Sequence, residues 1–310
     1  MELSYLLMQS ILSMAVMVLM GWAGVKSGVL KLEDSRVVAA LSLYIVCPCM
    51  MLSAFQVEFS PQKLQGLLLA LAAAVLIHGV YILFTLLLAG PFGLDGVEKG
   101  SLIYSNSGNL IIPLVTSLLG KEYVLFTSPF LTVQIILSWT HCVKLVCPSA
   151  RLDLWKILKN PNILATLAGM ILFFGQLRLP GVVASAVDSV GACVGPLGMF
   201  SIGMLMAGAD WGRVFRSRRN YAIVLGRLVL YPALFAVLVC LSRITFWMEG
   251  ARQVLLVTML AACAPVAVTI SQMADLFGAD SRKAGVLNVL SVVFSILTMP
   301  LLVMLYQTIC

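Results

Sequence analysis

The sequence predicts an all-α integral membrane protein of ten transmembrane helices, arranged as a 5+5 inverted repeat in which helices four and nine are broken. Three observations predict it. A mean hydropathy of +1.04, with 61% hydrophobic and 11% charged residues over 310 positions, leaves too few polar side chains to cover a soluble globule. Apolar stretches long enough to cross about 30 Å of hydrocarbon recur along the chain, without the short alternating strands of a barrel. Two of these stretches carry helix-weakening residues at corresponding places.

The ten spans run approximately Ser4 to Val25, Arg36 to Gln56, Leu64 to Leu88, Gly100 to Leu119, Tyr123 to Val146, Pro161 to Gln176, Val182 to Met206, Tyr221 to Leu241, Arg252 to Leu276 and Lys283 to Gln307. Connections are short. Residues 1–147 form the first half, 148–160 a cytoplasmic linker and 161–310 the second half. In the linker, Leu152, Leu154, Trp155, Ile157 and Leu158 suggest a short interfacial helix.

Charge sets the orientation. Fourteen Lys and Arg residues, Lys26, Lys99, Arg216 and Arg219 among them, lie after the odd-numbered spans. Lys63, Lys121, Arg178, Arg243 and Arg252 lie on the other side, and Arg227 lies within span eight. The excess places the odd loops in the cytoplasm and both termini outside, in a plasma or inner membrane. Glu2 is the only charged residue before Lys26, so span one is expected to be retained rather than cleaved as a signal. The net charge of +7 belongs to these loops and is no nucleic-acid signal, although the basic run Arg213 to Arg219 can touch anionic lipid. The eight cysteines form no paired CxxC sets and read as small packing residues rather than metal ligands or disulfides. No cofactor is expected, and no HExxH, GxSxG or pair of intramembrane aspartates suggests an enzyme.

The repeat rests on prolines. Pro48 to Pro113 is 65 residues and Pro196 to Pro265 is 69, and each interval ends in the fourth span of its half. Five spans per half invert the second half. Prolines also kink membrane helices commonly, so a chance match is the competing reading. In span four, Gly108 and Pro113 weaken the helix, and in span nine Pro265 does; the freed backbone groups then have to face protein or a wet cavity. Helix segments starting at such breaks direct positive ends into that cavity, which suits an anion, whereas free carbonyls at the preceding ends would suit a cation.

Taken together, Ser105-Asn106-Ser107-Gly108-Asn109-Leu110-Ile111-Ile112-Pro113, Lys159-Asn160-Pro161-Asn162, Gly195-Pro196-Leu197-Gly198, Ala261-Ala262-Cys263-Ala264-Pro265 and Thr298-Met299-Pro300 resemble the auxin efflux carrier family over nearly the whole chain. That family includes plant PIN-type carriers and bacterial malate and malonate permeases. The resemblance implies that broken helices four and nine cross at the substrate site. It also implies a scaffold of spans one, two, six and seven, often dimeric, and a mobile transport domain of the others. The long central loop of many plant members is missing, which favours a prokaryotic carrier.

Asn106 and Asn109 are the first candidates for substrate contact, since an amide offers donors and acceptors without a buried charge; capping of the helix ends is the alternative. Ser107 and Gly108 would allow close backbone approach, and Pro113, Ala264 and Pro265 would shape the site. Thr269 and Ser271 could line the cavity or bond their own helix carbonyls. Gln134 and His78 lie near mid-depth, His78 as a packing residue or a proton carrier. Asn288, Ser291 and Ser295 share one face of span ten and are expected to pack inside the transport domain. Arg227 and Asp188 are expected to snorkel toward the cytoplasm and the outside respectively.

The expected function is a secondary active or facilitative carrier of small organic anions, mono- or dicarboxylates, working by elevator-like alternating access with a proton or sodium ion as possible coupling partner. A cation/proton exchanger on the same architecture is the nearest alternative, although neither break has an Asp or Glu beside it. A ligand-binding membrane sensor is the other.

Overall fold

The computed structural model describes residues 2–150, 155, 158–209 and 211–309, and among these residues it is helical with no strand. We number the helices α1 (Glu2–Lys26), α2 (Asp34–Ala54), α3 (Pro61–Phe92), α4 (Gly96–Ile103), α5 (Ser107–Leu118), α6 (Lys121–Val146), α7 (Pro161–Phe174), α8 (Gly181–Ala207), α9 (Trp211–Arg216), α10 (Arg218–Ser242), α11 (Ala251–Cys263), α12 (Val268–Leu276) and α13 (Ser281–Ile309). Among the described residues α2, α3, α6, α8, α10 and α13 are each long and apolar enough to cross a membrane. Shorter apolar helices occur at Leu12–Lys26, Pro161–Phe174 and Ala251–Cys263.

α3 displays the sorting a bilayer demands. Leu71, Val75, Leu83, Leu86 and Leu87 recur at helical spacing on its exposed side, while Ala70, Ala74, Ile77, His78, Tyr81 and Thr85 are buried on the other. An exposed leucine stripe of this length is stable against lipid and unfavourable against water.

The chain divides into two compact units that interleave along the sequence. The first comprises Met1–Leu68, Gly108–Thr132 and Asp153–Gly208. Its α1 and α8 pack with almost no space between backbones: a Cβ on Gly21 would strike the Phe200 carbonyl, and one on Gly203 would strike that of Val18. Gly191 likewise admits the Met50 backbone, and Gly169 admits the Phe55 ring. Phe59 and Phe173 pack as tilted rings 5.3 Å apart between centres. α7 begins where Asn160 accepts a hydrogen bond from the Asn162 N–H at 2.9 Å with Pro161 in the first turn, a cap followed by a residue that lacks the unneeded N–H. Asp188 bonds Ser53 and pairs with Lys121 at 3.1 Å, with its side chain 47% exposed.

The second unit comprises Leu69–Ser107, Val133–Leu152 and Ala209–Cys310. This division follows the scaffold and transport groups implied by the resemblance, except that the segment from Gly108 to Thr132 joins the first unit. The exception has a local cause, since Lys121 is tied to Asp188 and the Phe126 ring fills the space left by Gly66. At the basic end of the second unit, Asp95 and Glu98 form a capping box that opens α4. The fully buried Glu98 carboxylate also accepts from Arg219 at 2.5 Å and pairs with Lys283 at 2.6 Å. In the linker, Trp155 and Leu158 are exposed; Leu152, Leu154 and Ile157 lie outside the described residues.

Candidate functional site

The two helix interruptions lie at Tyr104–Asn106, between α4 and α5, and at Ala264–Ala267, between α11 and α12. The second falls on Pro265 as the sequence suggests. The first lies upstream of the residues blamed for it: Gly108, Asn109 and Pro113 sit inside α5, and the chain is extended at Tyr104. Glycine and proline mark a weakened helix, but the break forms where the freed backbone finds new partners. The Asn106 N–H donates to the Pro265 carbonyl at 2.8 Å, and the Ala267 N–H donates to the Tyr104 carbonyl at 3.1 Å. Ser105 and Val266 thus form an antiparallel bridge within the second unit. Each interruption satisfies the other, which is what permits irregular backbone at membrane depth.

Side chains from two other helices hold this bridge. Gln134 of α6 clamps one side: its Oε1 accepts from the Ser105 hydroxyl at 3.0 Å, while its Nε2 donates to the Ser105 carbonyl at 2.8 Å and to the Ser107 hydroxyl at 2.9 Å. α13 clamps the other, with the Asn288 amide donating to the Val266 carbonyl at 2.6 Å and the Ser291 hydroxyl accepting from the Val266 N–H at 2.9 Å. Ser295, in the same stripe, bonds the Val292 carbonyl. His78 of α3 is buried, its Nδ1 2.7 Å from the Ala74 carbonyl, and its ring also interacts with Gln134 and Arg227.

Arg227 corrects the sequence reading. It does not snorkel; it is fully buried in a π-helical turn of α10, Gly226–Leu230, and reaches the bridge. Its guanidinium donates to the Leu102 carbonyl at 3.3 Å and to the carbonyls of Ala262 and Ala264 at 3.0 and 3.1 Å. The π turn inserts one extra residue per turn and re-aims the side chain, a change hydropathy does not register. The signal available in sequence was an arginine deep in an apolar span without an acidic neighbour.

Of the predicted site residues, Asn106, Ser107, Gln134, His78, Ala264 and Pro265 therefore meet around one bridge. Asn106 is 5% exposed and Ser107 fully buried. Thr269 and Ser271, in the first turn of α12, are half-buried. Their hydroxyls make no hydrogen bond to another described residue, whereas Thr116, Thr140, Thr166 and Thr298 all bond the carbonyl four residues back. Gly108, Asn109 and Pro113 follow Ser107 along α5; the side chains of Asn109 and Pro113 lie outside the described residues.

Paired interrupted helices inside an apolar helical protein define a multi-pass membrane protein with a polar centre built from backbone. The family model described as "Membrane transport protein" matches residues 6–153 and again 146–303, and the chain belongs to this auxin efflux carrier/membrane transport protein family. Membership indicates a membrane transporter. The comparison with curated proteins returned no match.

Proposed function

We propose that the protein carries small organic anions, mono- or dicarboxylates, across the membrane by elevator-like alternating access, with the solute bound beside the Ser105–Val266 bridge. One observation carries the choice of an anion: the carbonyl ends of the interrupted helices are already occupied by a guanidinium, while the helix starts at Ser107 and Val268 keep their N–H ends. Carboxylates are favoured at such ends. Asn106, with the Thr269 and Ser271 hydroxyls, supplies the polar contacts in this reading, and Ala264 and Pro265 shape the space. His78 and Gln134 stand behind the bridge. The helix order, with interruptions in the fourth and ninth apolar segments, supports ten spans in two inverted halves. We extend the proposal to a homodimer in the plasma membrane with both termini outside, from the family resemblance and the loop charges.

The test is thermal unfolding of detergent-purified protein against malate, malonate, succinate, lactate and indole acetate, repeated with Asn106→Ala and Asn109→Ala, then flux in liposomes. A ligand at 100 times its dissociation constant adds about 2.7 kcal/mol. A shift with one acid that is lost in the Asn variants, together with flux of that acid, supports the carrier. Binding without flux identifies a sensor, and no shift with any acid removes the anion reading. A cation/proton exchanger would need a titrating carboxylate at the bridge; among the residues flanking either break, 104–107 and 263–268, there is no Asp or Glu.

A further inference from the structure

We infer that Arg227 is the resident cation of the paired helix breaks, a positioning residue whose guanidinium occupies the carbonyls that would otherwise hold a metal ion, so that the bridge needs no sodium ion to form. Its meaning for transport rests on the carrier reading above; its test does not.

A fully buried arginine is expensive unless compensated, by several kcal/mol. Among the described residues no carboxylate pairs with Arg227. The groups around it are the Tyr81 ring, 5.7 Å from the guanidinium carbon, with Tyr231, Cys263 and His78. None of these supplies a negative charge at neutral pH.

Compensation comes from the backbone. Leu102 lies in the last turn of α4, Ala262 in the last turn of α11, and Ala264 is the extended residue that follows α11. Each helix C-terminus carries roughly half a negative charge, so the two ends together offer about the one charge the guanidinium requires. Converging carbonyls at interrupted helix ends are also the usual means of holding a sodium ion in a membrane carrier. Here a planar fork with fixed charge spans three of them across both breaks. An arginine stays protonated at every accessible pH and cannot leave the site, unlike a bound ion. Arg227 therefore ties α4 to α11 permanently, leaving the N–H ends of α5 and α12 as the unbalanced charges.

The experiment is a salt series on the purified full chain. Melting temperatures of wild type, Arg227→Lys and Arg227→Met are measured in sodium, potassium and choline chloride at equal ionic strength. The wild type is expected to melt at one temperature in all three. Arg227→Met is expected to melt lower in choline and to recover part of the loss, saturably, with sodium, because the vacated carbonyls accept an ion. Arg227→Lys is expected to fall between them without a sodium response. A saturable sodium shift in wild type that persists in Arg227→Met overturns the inference, as does an Arg227→Met protein equally affected in every salt. If Arg227→Met yields no folded protein, a folded, sodium-insensitive Arg227→Lys upholds it, and a Lys variant that is also lost or responds to sodium overturns it. Failure of the carrier reading shows separately, as carboxylates that leave the wild-type melting curve unmoved.

Discussion

The Asn106 N–H donates to the Pro265 carbonyl at 2.8 Å, so the residue that ends one helix interruption is bonded to the proline that creates the other. A proline removes its own N–H but keeps its carbonyl, and here that carbonyl becomes the acceptor for a backbone 159 positions earlier in the chain (265 minus 106). Neither interruption is satisfied alone. The pair forms one polar centre whose geometry depends on both halves of the chain, and substitutions around it test different parts of that dependence.

Gln134→Leu removes the amide that bonds Ser105 and Ser107 while keeping the volume nearly constant. The stranded serine groups are expected to cost about 1–3 kcal/mol. Thermal unfolding in detergent measures the loss; a wild-type melting temperature would show that water replaces the amide without penalty.

Thr269→Val and Ser271→Ala are expected to leave stability within about 0.5 kcal/mol of wild type, because their hydroxyls make no hydrogen bond to another described residue. The same variants should weaken the melting shift produced by whichever carboxylate stabilises the wild type. Unchanged carboxylate shifts would remove both hydroxyls from the binding site.

Gly203→Ala places a methyl group against the Val18 carbonyl and within 2.8 Å of the Trp22 nitrogen. Separation of α1 from α8 is expected to cost about 1–3 kcal/mol or more. Gly285→Ala, in α13 with open space around it, is the control and should be neutral or slightly stabilising. Equal melting of the two variants would contradict the close approach.

Glu98 gives a pH dependence with a definite sign. Burial by itself raises the carboxyl, but hydrogen bonds from Arg219, Lys283 and the Asp95 N–H outweigh it and hold the group at about 2, below its ordinary 4.5. A carboxyl depressed in the folded state stabilises the protein fully above 4.5 and loses that contribution as pH falls toward 2. Wild-type unfolding monitored from pH 5 to pH 2 should therefore fall more steeply than that of Glu98→Gln. Parallel curves would mean that the ion cluster contributes nothing to folding.

Much of the architecture was legible in residue order, since apolar length is a local property. The helices at Pro61–Phe92 and Ser281–Ile309 overlap the stretches read from hydropathy, and Asn160-Pro161 announces the start of α7 by capping chemistry alone. Pro265 located the second interruption because a missing N–H is a fact about one residue. The first interruption was misplaced toward Gly108 because a weakened helix opens where partners exist, and the partners are Pro265 and Ala267.

The sequence by itself determined that this is a helical membrane protein of the transport family, that its polar residues gather at two weakened helices, and that few charges lie within its spans. Only the tertiary structure decided which of those residues meet. Gln134, Asn288 and Ser291 converge on Ser105 and Val266, and Arg227 turns inward to three carbonyls rather than outward to water. The physical reason is range: hydrophobic burial and capping act within a few residues and leave their mark on local composition. A buried hydrogen bond between helices is fixed by packing between segments 22 positions apart, as for Asn288 and Val266, or 125 apart, as for Arg227 and Leu102, and either partner alone looks like an ordinary polar residue in an apolar span.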